Sequence, residues 1–427
     1  MRYRLSLMMA LVYAVQGAFW PLLAVHLKDL GISGPERGWI FATLAIASLT
    51  MPLGAGQIVD RYFSSQKLLA LLFAIASGFL VVLGSGLVTG PMALFVLFQT
   101  FWLITAPVFA LANAIAFRHL PHPHEQFPGV RLWGTVGWMG VGWLVSIILA
   151  FSGSIRAGQG AYEAFWISAI LAAGLAAFSL TLPDTPPLAT ELRGRAGLLD
   201  ALSVARKPGM PVLLITALGV HLTTPFVYQV LTTSLESRGL PRSWISTVLT
   251  LGQFPEIAML AVLPRLLDRL GPKGTLAIGI GSWVIRYGTL AFDPPLWVAI
   301  AGIPLQGVGI ACFTVAGQVY TDSQASRDQR ASAQALYMVV TAGFGSLLGS
   351  LLAGEMVARF GGEYGWVFIV PCVIDGALLV YFCAGFRPSA KVLERASAPN
   401  AARLSRVDAV RGSGGRFGNL VTESADG

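Results

Sequence analysis

GQIVDRY, residues 56–62, follows directly on one long apolar run, and PRLLDRLGPKG, residues 264–274, follows on another. Each sets an Asp-Arg pair, Asp60-Arg61 in one and Asp268-Arg269 in the other, beside glycine at the point where hydrophobicity stops. The copies are not identical, since the spacing back to the preceding tryptophan (Trp39, Trp244) differs. A helix needs about 20 mostly apolar residues to cross hydrocarbon, where no water satisfies backbone groups. Scanning outward from the two loops gives twelve such segments. They lie near 5–27, 37–58, 68–87, 91–117, 130–151 and 161–182, then near 211–235, 242–263, 274–291, 294–320, 331–354 and 366–386. The Asp-Arg loop thus follows the second helix of each six-helix half, as a duplicated bundle would leave it.

Composition agrees. Of 427 residues, 55% are hydrophobic and 12% charged, where soluble domains carry about 25% charged. With a mean hydropathy of +0.68 there is too little polar surface for a soluble enzyme or a disordered chain. The net charge of +8 does not indicate nucleic acid, because its distribution follows topology. With both termini cytoplasmic, six of the 29 Lys and Arg fall outside (Lys28, Arg37, Arg156, Arg238, Arg242, Arg359), Arg131 and Arg286 fall in helices, and the rest lie inside. The expected product is an all-α integral membrane protein of the cytoplasmic (inner) membrane, with twelve transmembrane helices in two six-helix bundles. Its parts are an N-terminal bundle over 1–182, a linker over 183–210 where Pro183, Pro186 and Pro187 stop the sixth helix, a C-terminal bundle over 211–386, and a polar tail over 387–427 read as disordered and solvated. Arg2 and Arg4 before an apolar run imitate a signal peptide, but the run is too long and shows no small-residue cleavage site.

Cofactor signals are missing. Cys312, Cys372 and Cys383 show no CxxC spacing, and no G-x-x-x-x-G-K-[ST] loop is present to hold ATP. His119, His122 and His124 cluster around PHPHEQF, residues 121–127, but the prolines are expected to hold that loop extended and no second ligand set exists, so no metal is expected.

An ionisable residue inside hydrocarbon is a functional hypothesis by default. The sequence offers Arg131, Glu256, Arg286 and Asp375, with His221 and Glu355 nearer helix ends. In VRLWGTVGWMGVGW, residues 130–143, Arg131, Thr135 and Trp138 fall on one helical face. A guanidinium fork, a hydroxyl and an indole on one face suit a polyhydroxylated ring, while Gly134, Gly137 and Gly140 admit a close neighbour. By position alone, an arginine snorkelling at the cytoplasmic edge beside an interfacial tryptophan is an equal alternative. In LGQFPEIAML, residues 251–260, Gln253 and Glu256 share a face, and Pro255 should open the eighth helix there. Glu256 is expected to accept hydroxyl hydrogen bonds or a proton, the alternative being a structural pair with Arg286. Asn113 offers an acceptor opposite Arg131. In the seventh helix, LGVHLTTPFVYQVL, residues 218–231, Phe226 or Tyr228 are candidates to stack on a base or to pack the bundle. His221 titrates in the useful range by default, but a lone histidine in a helix is more often a satisfied packing residue. Asp375 is expected to pair with a neighbouring helix.

The G-x-x-x-D-R loops in a 6+6 frame resemble the major facilitator superfamily from residue 1 to about 386. The order R-x-W-G-T-x-G-W at 131–138, with RASAQALYMVVTAGFGSLLGS at 330–350, is similar to the bacterial nucleoside:proton symporters and, more weakly, to the lactose permease branch. The resemblance implies alternating access by two rocking bundles, gated by Asp60, Arg61, Asp268 and Arg269, although these loops can also be read as simple helix caps. It places Arg131, Thr135, Trp138, Gln253 and Glu256 in a central cavity, and puts the family's seventh-helix amides on Thr223 and Phe226, a departure. In the tenth helix, GVGIACFTVAGQ at 307–318, Ala311 stands where relatives carry a carboxylate used for protons, which leaves Glu256, Arg286, His221 and Asp375 as coupling candidates and facilitated diffusion as an alternative. The expected substrate is a nucleoside or related ribosyl compound and the partners are protons and the lipid bilayer, with no nucleic acid and no cofactor, in a monomer that is not an enzyme. Sugar or oligosaccharide transport, drug or metabolite export, and a non-transporting sensor are the rivals.

Overall fold

The computed structural model describes residues 1–50, 64–152, 161–186, 195–326 and 328–388. All regular structure among them is helical. Ten helical segments meet the length and hydropathy needed to cross a bilayer. They are Arg2–Asp29, Ser65–Gly84, Pro91–His119, Glu125–Phe151, Tyr162–Ser179, Met210–Ser237, Arg242–Ala291, Leu296–Gln324, Arg330–Phe360 and Tyr364–Gly385. The count reaches twelve because Gly34–Thr50 supplies a second span, and because Arg242–Ala291 is two spans joined end to end. These two meet at Gly271, where φ 66° and ψ 175° turn the chain within one residue. A side chain there would be strained, and the following Pro272 has no N–H to lose at the start of the ninth helix.

The fifth helix begins at Pro123, inside the stretch expected to be an extended loop. Proline suits a first helical turn, where its missing N–H has no intrahelical partner, so Pro123 starts the helix instead of preventing it. The linker also holds local structure, the helix Arg195–Ala205, tied to the start of the eleventh helix by Gln329 Nε2 donating to Ser203 Oγ at 3.0 Å. The tail beyond residue 388 and the loop with Asp60 and Arg61 lie outside the described residues.

Within the first half, the first helix packs on the fifth and sixth and the third on the sixth; within the second, the twelfth packs on the ninth and the seventh on the eleventh. Two seams join the halves, second helix to eleventh and fifth to eighth. Exchanging the halves converts one seam into the other, as duplication of a six-helix unit requires. Small residues make the approach possible: a Cβ on Gly137 would collide with the Ala10 backbone, and one on Gly34 with that of Gly354.

Several helices are irregular at mid-depth. A 3₁₀ turn occupies Trp20–Leu22 of the first helix and Thr250–Gly252 of the eighth. π-helical turns occupy Val227–Leu231, Ile310–Val315 and Val339–Gly345 of the seventh, tenth and eleventh. Such turns re-aim side chains and expose carbonyls, which is tolerated in membranes only inside protein or beside a cavity.

Candidate functional site

The fifth helix presents Arg131, Thr135 and Trp138, each half-buried. Trp138 lies against Gly17 of the first helix. The Arg131 guanidinium sits 4.3 Å from the ring centroid of Tyr13, a first-helix residue that carries no sequence signal of its own. Tyr13 in turn packs on Phe109 of the fourth helix at 4.8 Å, one turn before half-buried Asn113. Arginine, tyrosine and asparagine therefore line one wall.

The facing wall comes from the second half. Glu256 is half-buried and within electrostatic reach of both Arg131 and Tyr13, yet among the described residues it closes no ion pair. Tyr228, on the π turn of the seventh helix, is in reach of Glu256 and hydrogen-bonded to Gln306 of the tenth. The Gln306 oxygen accepts from Arg286 Nη1 at 3.0 Å. Arg286 is buried and lies 5.5 Å from the Trp283 ring, with its Nη2 unpartnered among the described residues. The expected alternative of a Glu256–Arg286 pair is thus corrected: an amide, not a carboxylate, holds the guanidinium. Gln306 left no sequence signal, because one Gln in an apolar helix reads as a packing hydrogen bond.

Opposite charges held apart across a polar gap, with phenols on both sides, can receive a neutral solute rich in hydroxyls and ring edges. A carboxylate accepts from vicinal hydroxyls, a guanidinium donates, and aromatic faces stack. Gln253 contributes less than expected. Oriented to satisfy its hydrogen bonds, its amide nitrogen lies 3.1 Å from the Leu249 and Thr250 carbonyls, so the donor serves its own helix. No opening appears at Pro255 itself, which lies in the first turn of an α-helix starting at Gln253; a 3₁₀ turn over Thr250–Gly252 precedes it, with Gly307 of the tenth helix seated against the backbone of Gly252 and Glu256.

Three further expectations are corrected by position. Thr223 is wholly buried and its hydroxyl is directed at Asp375 of the twelfth helix, not into the cavity. Phe226 is fully enclosed in the core. His221 is buried, its Nδ1 bonded to the Ala217 carbonyl at 2.9 Å, and its Cβ faces Gly345. Helix 7 turns these three away from the cavity and leaves Tyr228 facing it. Ala311 lies within a π turn and is wholly buried, with no carboxyl at that site.

At the end of the bundle away from Met1, charges bridge the halves. Arg242, at the start of the eighth helix, holds Asp29 at the end of the first, Nη2 to Oδ1 at 2.7 Å, and also ion-pairs with Glu236. Lys28 reaches Glu236 at 3.2 Å. Below them Trp143 Nε1 donates to Thr250 Oγ1 at 3.0 Å, and Thr247 N to Ser146 Oγ at 3.2 Å. This end is closed by inter-half contacts that the sequence showed only as scattered loop charges. At the opposite end, Asp268 and Arg269 are exposed and form no ion pair with the described residues; their expected partners Asp60 and Arg61 lie outside that set. A hollow of about 790 Å³ on the closed rim, lined in part by Arg238, Asp293, Glu363 and Trp366, shares no residue with the central site.

Comparison with known proteins places this geometry. Residues 1–391 match the family described as nucleoside H⁺ symporter. YegT of Escherichia coli (strain K12) is 32% identical over 366 residues, 83% of this chain and 84% of that protein. Xanthosine permease of the same organism is 26% identical over 409 residues, 90% and 95% of the two chains. A solved structure of the nucleoside transporter NupG superposes with a TM-score of 0.81 at 25% identity, covering 90% of this chain and 100% of that one. The chain belongs to the nucleoside H⁺ symporter family: it is a multi-pass membrane transporter for proton-coupled nucleoside uptake, and not an enzyme.

Proposed function

We propose that the nucleoside is held between Arg131 and Glu256, one from each half, with Tyr13 and Tyr228 as the aromatic surfaces and Thr135, Trp138 and Asn113 completing the first-half wall. The observation that carries this assignment is the unclosed Arg131–Glu256 pair, two opposite charges within electrostatic reach and each beside a phenol. Ribose supplies the vicinal hydroxyls that a carboxylate and a guanidinium can share, and the base supplies a face for a tyrosine ring. Because the site draws on both halves, a bound substrate is contacted in any state that brings them together, and rocking about it alternates access. We place the protein in the inner membrane with both termini cytoplasmic, so the end closed by Arg242 and Asp29 faces outward.

Uptake of labelled uridine, adenosine and lactose into cells lacking their own carriers, with and without a protonophore, tests the assignment. Saturable nucleoside uptake that collapses with protonophore and in Arg131→Ala or Glu256→Gln is expected. Nucleoside uptake untouched by both substitutions sinks the site, and lactose accumulation without nucleoside uptake sinks the substrate.

A further inference from the structure

With alanine at 311, the tenth helix holds no proton-binding group at that position, yet one carboxyl elsewhere in the second half is wholly enclosed by protein. Asp375, midway along the twelfth helix, has no exposed surface. Its two oxygens lie 3.2 and 3.1 Å from Thr223 Oγ1, and the same Oγ1 lies 2.7 Å from the Val220 carbonyl oxygen. A threonine hydroxyl has one proton to give. The shorter contact claims it for Val220, which would leave an ionised Asp375 with neither a donor nor a counter-charge. As a carboxylic acid, Asp375 instead donates its own proton to the free lone pairs of Thr223 Oγ1, and both groups are satisfied.

The groups around it support that state. From the ninth helix Tyr287 faces Asp375, but its hydroxyl donates to the Thr223 carbonyl at 2.8 Å. On its own helix Cys372 is the nearest titratable neighbour, its thiol 3.7 Å from the Val284 carbonyl. Arg286 is engaged by Gln306 and His221 by the Ala217 carbonyl. The eleventh helix carries Arg330, Glu355 and Arg359 as charges, all exposed, and Arg330 pairs with Asp322. Among the described residues no Lys, Arg or His pairs with Asp375.

We propose that Asp375 is the proton-carrying group of this transporter, held in its acid form by Thr223 in the conformation described. The connection to substrate runs along the seventh helix. Thr223 lies just before Pro225 and the π turn Val227–Leu231, and that turn carries Tyr228 to the Glu256 side of the cavity. Movement of this segment on substrate release withdraws Thr223 from Asp375, opens the carboxyl to water and removes the acceptor for its proton. The proton taken up from one side as Asp375 becomes neutral is returned to water on the other, and no other bond changes.

This inference rests on proton-coupled nucleoside transport as read above. The experiment uses the purified full chain in liposomes, with three readouts: uridine counterflow, uridine concentration driven by an imposed pH gradient, and uridine-dependent proton movement reported by an internal pH dye. Asp375→Asn is expected to keep counterflow and to lose both concentration and proton movement. Thr223→Val, which keeps the carboxyl but removes its acceptor, is expected to keep counterflow and to shift the pH profile of transport to lower pH, because the acid form loses its partner. Asp375→Asn that still concentrates uridine, or that loses counterflow as well, overturns the proposal, as does a wild-type pH profile in Thr223→Val. No counterflow of any nucleoside by the wild-type protein would overturn the substrate assignment, a result distinct from either variant outcome.

Discussion

Arg131 has two partners of different kinds, the π face of Tyr13 and, across the gap, the carboxylate of Glu256. Hydrogen bonds to charged groups contribute about 1.5–3 kcal/mol, and each factor of ten corresponds to about 1.4 kcal/mol. Arg131→Ala is therefore expected to lower uridine kcat/KM by about 10- to 100-fold, measured as initial uptake rates across substrate concentrations. An effect within twofold would mean that the guanidinium serves Tyr13 alone. Phe226 behaves oppositely. It is enclosed, so Phe226→Ala is expected to cost roughly 3–5 kcal/mol of stability by leaving a cavity, seen as a lower melting temperature in detergent, while the ranking of nucleosides stays as in the wild type. A changed base preference would return Phe226 to the site. Arg131 and Glu256 were legible in the sequence because charge in hydrocarbon is conspicuous. Thr223 was placed in the cavity by resemblance and moved out by its hydroxyl contacts with Asp375, because on a helix one residue's rotation decides which neighbour it meets.

Among elements, the seams carry the energetics. Gly137 touches the Ala10 backbone, and a larger residue must push the first and fifth helices apart. Gly137→Leu is expected to cost roughly 1–3 kcal/mol by overpacking and to reduce the yield of folded, monodisperse protein in size-exclusion chromatography; wild-type yield and melting temperature would contradict that packing. The far-end latch is a second element-scale device. The side chains of Arg242 and Asp29 are only 10% and 5% exposed, so the pair is screened from water more than a surface bridge. Truncating one partner of a buried charge pair costs roughly 2–5 kcal/mol, enough to shift a two-state balance. In Arg242→Ala, spin labels at the far ends of the first and seventh helices are expected to report longer distances than in the wild type. An unchanged distribution would assign closure to the helical seams alone. At the start of the second helix the Glu36 carboxylate accepts from both Ser33 N and Ser33 Oγ, at 2.9 and 2.6 Å, which fixes the helix entry next to the latch.

At the scale of the molecule, twelve spans return the chain to the side from which it started, so Met1 and residue 388 share a face. A fluorescent protein fused after residue 388 is expected to fluoresce, and alkaline phosphatase fused there to be inactive; the reverse would invert the topology and make the Arg242 latch an inner gate. Between the two seams, second helix to eleventh and fifth to eighth, Arg131 of one half and Glu256 of the other come within electrostatic reach. On the proposed assignment, one substrate site becomes accessible in turn from each side as the latch at one end opens and contacts form at the other.

The membrane class, the twofold repeat, most of the spans and the unusual charges were legible in the residues alone, because hydropathy and electrostatic cost act locally and do not depend on which helix lies alongside. Which charges meet depends on the folded arrangement: Glu256 lies within reach of Arg131 while Gln306 takes Arg286, Tyr13 and Tyr228 lie beside the first pair, and Asp375 is closed in by Thr223. Those pairings depend on the rotation and depth of helices distant in the chain, and the π and 3₁₀ turns that set them arise from packing between helices, for which no single segment carries a signal.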